Sequence, residues 1–164
     1  MKTKAAALLL LTSASTTALA HPQASGGLLH GFVHPFTGAD HVAAMLMVGL
    51  WAARRRGASR PVLPLAFLGS LFTGALIAAL DLRLPAVEPI AAVSVLVFAA
   101  ALVAALRIPL SAPAALVSVF ALFHGYTHIN GAAFIGGMLA GTTALLAIGF
   151  AIGLAIAARR PGFA

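Results

Sequence analysis

A chain of 164 residues that is 62% hydrophobic and 8% charged, with a mean hydropathy of +1.06, is solvated mainly by lipid, because soluble chains run near a quarter charged. Ten Lys and Arg against three acids give a net charge of +7, and the absence of cysteine excludes disulfides, zinc–thiolate sites and iron–sulfur clusters. At about 20 residues per helical crossing, such a length holds about five spans and leaves no room for a separate soluble domain.

Residues 1–20 read as a signal peptide: Lys2 and Lys4, an apolar run over residues 5–11, then a small and polar stretch ending Ala18-Leu19-Ala20. An uncleaved anchor is the alternative, but the polar residues 12–17 cut the apolar run short of a span. Cleavage after Ala20 makes His21 the mature N-terminus. The remainder, residues 21–164, reads as one all-α, polytopic membrane helical bundle. Its spans fall near residues 28–53, 61–80, 86–106, 112–130 and 131–158. Helices are expected because an open sheet cannot satisfy its backbone in lipid.

Orientation follows from where the arginines fall. With the mature N-terminus outside, Arg54, Arg55, Arg56, Arg60, Arg107, Arg159 and Arg160 all lie inside, and Arg83 alone lies outside. The chain is therefore expected in a bacterial-type inner membrane, N-terminus periplasmic and C-terminus cytoplasmic. The basic charge is explained by topology, with no basic stripe of the kind that binds nucleic acid. Trp51 reads as an inner-interface residue. Gly137, Gly141, Gly149 and Gly153 form small-residue packing motifs, which fit tight contact within the bundle or in a homo-oligomer built on the last helix.

The same topology collects the six histidines and three acids in the outer half. In the first span, His34-Pro35-Phe36-Thr37-Gly38-Ala39-Asp40-His41 places an acid and an imidazole near mid-membrane. Pro35 and Gly38 disfavour regular helix there, and irregular backbone at that depth is tolerated only beside a protein or water cavity. Asp40 would cost on the order of 3 kcal/mol at a helix centre, which a bound cation offsets. His124 and His128 stand one helical turn apart, a chelating arrangement, and Glu88 opens the third span at the outer end. His30 reads equally as a histidine bonded to a neighbouring helix. His21 offers an imidazole and an α-amine at a terminus. Met45 and Met47 read as packing residues whose thioethers would favour a softer ion. Imidazole plus carboxylate without thiolate suits divalent nickel, cobalt or zinc, carried as substrate, better than copper(I), magnesium or calcium. No organic cofactor is expected.

These residues resemble the HupE/UreJ family of small membrane proteins from hydrogenase and urease gene clusters. The likeness rests on the HP-x-x-G-x-DH segment running into Val48-Gly49-Leu50-Trp51-Ala52, on Pro64-Leu65-Ala66-Phe67, on Val87-Glu88 before Ser94-Val95, and on Phe123-His124-Gly125-Tyr126-Thr127-His128. The resemblance implies a nickel or cobalt permease rather than an enzyme. It marks His34, Asp40, His41, Phe67, Glu88, His124 and His128 as functional positions, of which only Phe67 has no independent argument from its chemistry. Two features of the family pattern are absent: no acid follows His128, and Ala147 stands where a histidine usually follows the Thr143-Ala144-Leu145-Leu146 run. A haem-binding electron carrier using His41 and His124, and a metal-binding accessory protein that does not transport, remain alternatives.

Overall fold

The structure, a computed structural model, describes residues 26–87, 89–90, 93, 96–97, 109–127 and 131–159, with no strand among them. The expected signal peptide and most of the expected third span lie outside the described residues. Among the described residues five α-helices are delimited: α1 (Leu28–Thr37), α2 (Ala39–Ala53), α3 (Val62–Ala79), α4 (Ser111–Tyr126) and α5 (Gly131–Arg159). Among the described residues two segments are long and apolar enough to cross a bilayer, Gly57–Ala79 and Gly131–Arg159, with mean hydropathies of 2.0 and 2.1. A third arises if α1 and α2 are one broken span. At 16 residues α4 is a shorter apolar helix.

The first span is interrupted at one residue. Helix α1 continues through Pro35, although proline cannot donate to the carbonyl four residues back, and only Gly38 leaves helical geometry, with φ −105° and ψ 124°. Regular helix is thus lost over less of the chain than the proline and glycine together suggested. The two helices meet at 83°.

Close backbone contacts set the arrangement. The carbonyls of Leu28 and Phe32 lie against Gly137 and Gly141, and those of Leu46 and Leu50 against Gly149 and Gly153. Numbers rise together on both sides, so α1 and α2 run in the same direction as α5. All four glycines expected to mediate tight packing do so inside the chain, so this stripe is occupied without a second copy. Phe32 and Leu46 are 14 positions apart while their partners Gly141 and Gly149 are only 8 apart. The surplus residues, which include His34 and His41, are taken up at the corner around Gly38. Helices α3 and α4 cross at Gly74 and Gly125. Just beyond α3, the Leu84 N–H donates to the Tyr126 hydroxyl at 3.4 Å, so these two helices end on the same side.

These directions put Arg54, Arg55, Arg56, Arg60 and Arg159 at one end of the bundle, with the start of α2 and the finish of α4 at the other. The core between the ends is a single buried cluster drawn from α2 (Ala44, Met45, Val48), α3 (Leu63, Phe67, Leu71), α4 (Val117, Ala121) and α5 (Phe134, Met138, Leu145). Trp51 belongs to it, only 4% exposed, and is not the interfacial residue its position near the arginines suggested. Leu65, Phe72, Leu76, Val119 and Ile148 face outward, as lipid-facing positions do.

Gly131 starts α5 at φ +73°, with open space where a Cβ would stand. Only the backbone conformation resists a side chain there. Gly131→Ala is expected to cost about 1–2 kcal/mol, the left-handed penalty for an L-residue. Unfolding of the purified protein in detergent measures it.

Candidate functional site

The site forms where the broken span meets the end of α4. Helix α2 starts immediately after Gly38 and carries Asp40 and His41 in its first turn. Helix α1 carries His34 in its last turn, where the His34 carbonyl accepts a hydrogen bond from the Thr37 hydroxyl at 2.7 Å. The bend at Gly38 turns these two histidines toward each other: their ring centroids are 5.4 Å apart, edge to face. From α4, His124 reaches His41 with ring centroids 4.3 Å apart and planes at 64°. His124 is buried, 5% exposed, while His34 and His41 are half-buried.

His34, His41 and His124 therefore form a row of three imidazoles drawn from three helices, and 83 residues of sequence separate the closest pair. The row thus runs from the half-buried His34 and His41 to the buried His124. Among the described residues, no three His or acidic groups gather closely enough to enclose one ion. What the described site offers is an imidazole pair with a third behind it. A divalent ion needs metal–nitrogen bonds of about 2.0–2.1 Å, so rings in contact must part slightly to admit it.

The remaining expected positions divide into three groups. His30 is exposed and lies on the Phe134 ring at 5.6 Å, a contact to a neighbouring helix. Phe67 is buried in the core at 2% exposure, one of the largest fully enclosed side chains. His21, Glu88, His128 and the side chain of Asp40 lie outside the described residues. Helix α4 ends at Tyr126, with Thr127 as its C-cap, so the helical pairing of His124 with His128 rests on sequence alone.

Phe134 is a site residue the sequence did not announce. It packs on His34 at 5.4 Å as well as on His30, and is itself 1% exposed. As one of two phenylalanines in a 29-residue apolar helix, it carries no signature of such a role. Its place is set by Gly31, whose backbone rests directly against the Phe134 carbonyl and draws α1 onto α5.

Comparison with known proteins bears on this arrangement. The chain is 35% identical over 136 residues to Protein HupE of Rhizobium leguminosarum bv. viciae, an alignment covering 79% of this chain and 70% of that protein. No solved structure matches it. A match to the family described as HupE / UreJ protein runs over residues 8–163, a range that takes in α1 to α5, and the chain belongs to that family.

Proposed function

We propose that this protein is a permease of the bacterial inner membrane that carries a divalent transition metal inward, nickel foremost and cobalt or zinc as related substrates. The observation that carries the reading is the contact of His41 with His124, two imidazoles from sequence-distant helices brought together at the break in an apolar span. A membrane chain rarely brings ionisable groups together at that depth without a functional reason. Broken helices beside intramembrane ionisable groups are also how transporters build their ion sites.

The ion is captured at the outer face, where His34 and His41 are half-buried, with Asp40 and Glu88 as carboxylate partners and His128 near the entrance. It then passes to the buried His124. Neutral imidazole binds firmly and lets go on protonation, so such a site releases as well as captures. No nucleotide-binding motif occurs in the sequence, which leaves ion gradients as the energy source. A divalent cation moving fully inward gains about 4.6 kcal/mol per 100 mV of membrane potential, twice the unit-charge value. The arginines at the opposite end fit the cytoplasmic side under the positive-inside rule. That orientation places the cleaved N-terminus in the periplasm and the C-terminus in the cytoplasm.

The haem reading fares worse. Two imidazoles ligating one haem sit on opposite faces of the iron with the macrocycle between them, whereas His41 and His124 touch at 4.3 Å.

Purified protein in sealed vesicles, with a nickel-responsive dye inside, tests the proposal. Saturable nickel entry that accelerates with an inside-negative potential is expected. Nickel binding of ordinary strength with no entry would replace the permease by a non-transporting accessory protein.

A further inference from the structure

Of the described threonines, Thr37, Thr73, Thr127 and Thr143 each turn their hydroxyl back to a carbonyl of their own chain segment, at 2.7 to 2.8 Å. Thr142 differs. It is wholly buried, 0% exposed, and its hydroxyl has no hydrogen-bond partner among the described residues. Buried hydroxyls are normally satisfied, and one that is not calls for a water, an ion or a functional reason.

Its position supplies a reason. Along α5, Phe134, Met138 and Thr142 succeed one another at one-turn spacing on the buried face, so Thr142 lies about 12 Å inward of the ring that packs on His34. Along α2, Met45 follows His41 by one turn. Met45 and Met138 are 1% and 2% exposed and share one buried cluster. Met45 thus lies one turn inward of His41 along α2, and Met138 one turn inward of Phe134 along α5. Thr142 also falls between two close glycine contacts, that of α1 at Gly141 and that of α2 at Leu146.

We propose that the Thr142 hydroxyl, with the thioethers of Met45 and Met138, forms a second and weaker station that takes the metal ion from the imidazole row and passes it inward. The inference rests on the permease reading. One neutral hydroxyl and two thioethers hold a divalent ion less firmly than imidazoles. Conduction through successive sites needs an inner site weak enough to leave. Thioether sulfur also favours nickel or cobalt over magnesium and calcium, which prefer oxygen ligands.

Vesicle uptake of nickel by the wild type, Thr142→Val and Thr142→Ser, read beside equilibrium nickel binding and the thermal midpoint, decides the matter. Valine keeps the shape and removes the hydroxyl. Thr142→Val is expected to lower uptake about fivefold or more, with nickel binding and the midpoint at or above wild-type values; Thr142→Ser is expected to stay within about twofold. The double substitution Met45→Leu with Met138→Leu is expected to slow nickel entry in the same manner. Wild-type uptake by Thr142→Val would overturn the inner station and leave the permease standing. Loss of nickel binding or of the folded protein in Thr142→Val would also overturn it, by assigning the hydroxyl to capture or to folding. No uptake by the wild type itself would overturn the permease reading and this inference with it.

Discussion

Replacing His41 with alanine is expected to abolish nickel and cobalt accumulation in cells expressing the protein, while His30→Ala leaves it near the wild-type rate. His41 is the middle member of the imidazole row, touching His34 on one side and His124 on the other. Its loss would interrupt the proposed path from the half-buried His34 to the buried His124. Substituting groups that merely orient metal ligands already costs about 10–100-fold in affinity or activity, so removal of the bridging imidazole should cost at least that much. His30 has the same chemistry but lies on the Phe134 ring at the exposed edge of α1. Radiolabelled nickel uptake, normalised to protein in the membrane, makes the comparison. Equal uptake by His41→Ala and the wild type would remove the imidazole row from the transport path. Equal loss in His30→Ala would mean that the site extends to the outer edge of α1.

The imidazole row was partly legible in the sequence because lipid makes ionisable groups expensive. His34, Asp40, His41 and His124 stood out as residues needing a reason, and the proline and glycine between the first two marked a break. What a break does in space was not legible. The single residue Gly38 carries it, and its extended backbone converts two stacked turns into an 83° corner. The pairing of α1 and α2 with α5 was hidden for a related reason. When the surroundings are as apolar as the interior, inward and outward faces share one hydrophobic composition and the usual amphipathic stripe disappears. Small residues replace that stripe as the signal, which is why Gly137, Gly141, Gly149 and Gly153 predicted tight contact while nothing predicted Phe134. Trp51 was misplaced on the same grounds: aromatic residues near arginines are commonly interfacial, but this one is enclosed where α2 packs into the core.

The second large effect is expected at the crossing of α3 with α4, where Gly125→Ala and Gly74→Ala should each destabilise the folded bundle and Gly69→Ala and Gly136→Ala should not. A Cβ at Gly125 would stand 2.7 Å from the Leu71 carbonyl carbon, and one at Gly74 would stand 2.8 Å from that of Leu122. Backbone cannot swing aside as a long side chain does, so the helices themselves must part. Overpacking of this kind costs about 1–3 kcal/mol and sometimes more. It outweighs the roughly 0.5–1 kcal/mol that alanine gains over glycine inside a helix. At Gly69 and Gly136 nothing lies within 4 Å of the added carbon, so only the gain remains. The consequence reaches the site because Gly125 directly follows His124, and Tyr126 holds the Leu84 backbone beyond α3. Pushing α4 off α3 shifts the buried imidazole relative to His41, whose ring it meets at 4.3 Å. Thermal unfolding in detergent should therefore show lower midpoints for Gly125→Ala and Gly74→Ala, with unchanged or higher ones for the other pair. Nickel uptake per folded molecule should fall more in Gly125→Ala than in Gly74→Ala, because the displaced backbone is adjacent to the proposed metal ligand His124 in the first and a helix away in the second. A normal midpoint for Gly125→Ala would show that α3 and α4 do not cross at these glycines.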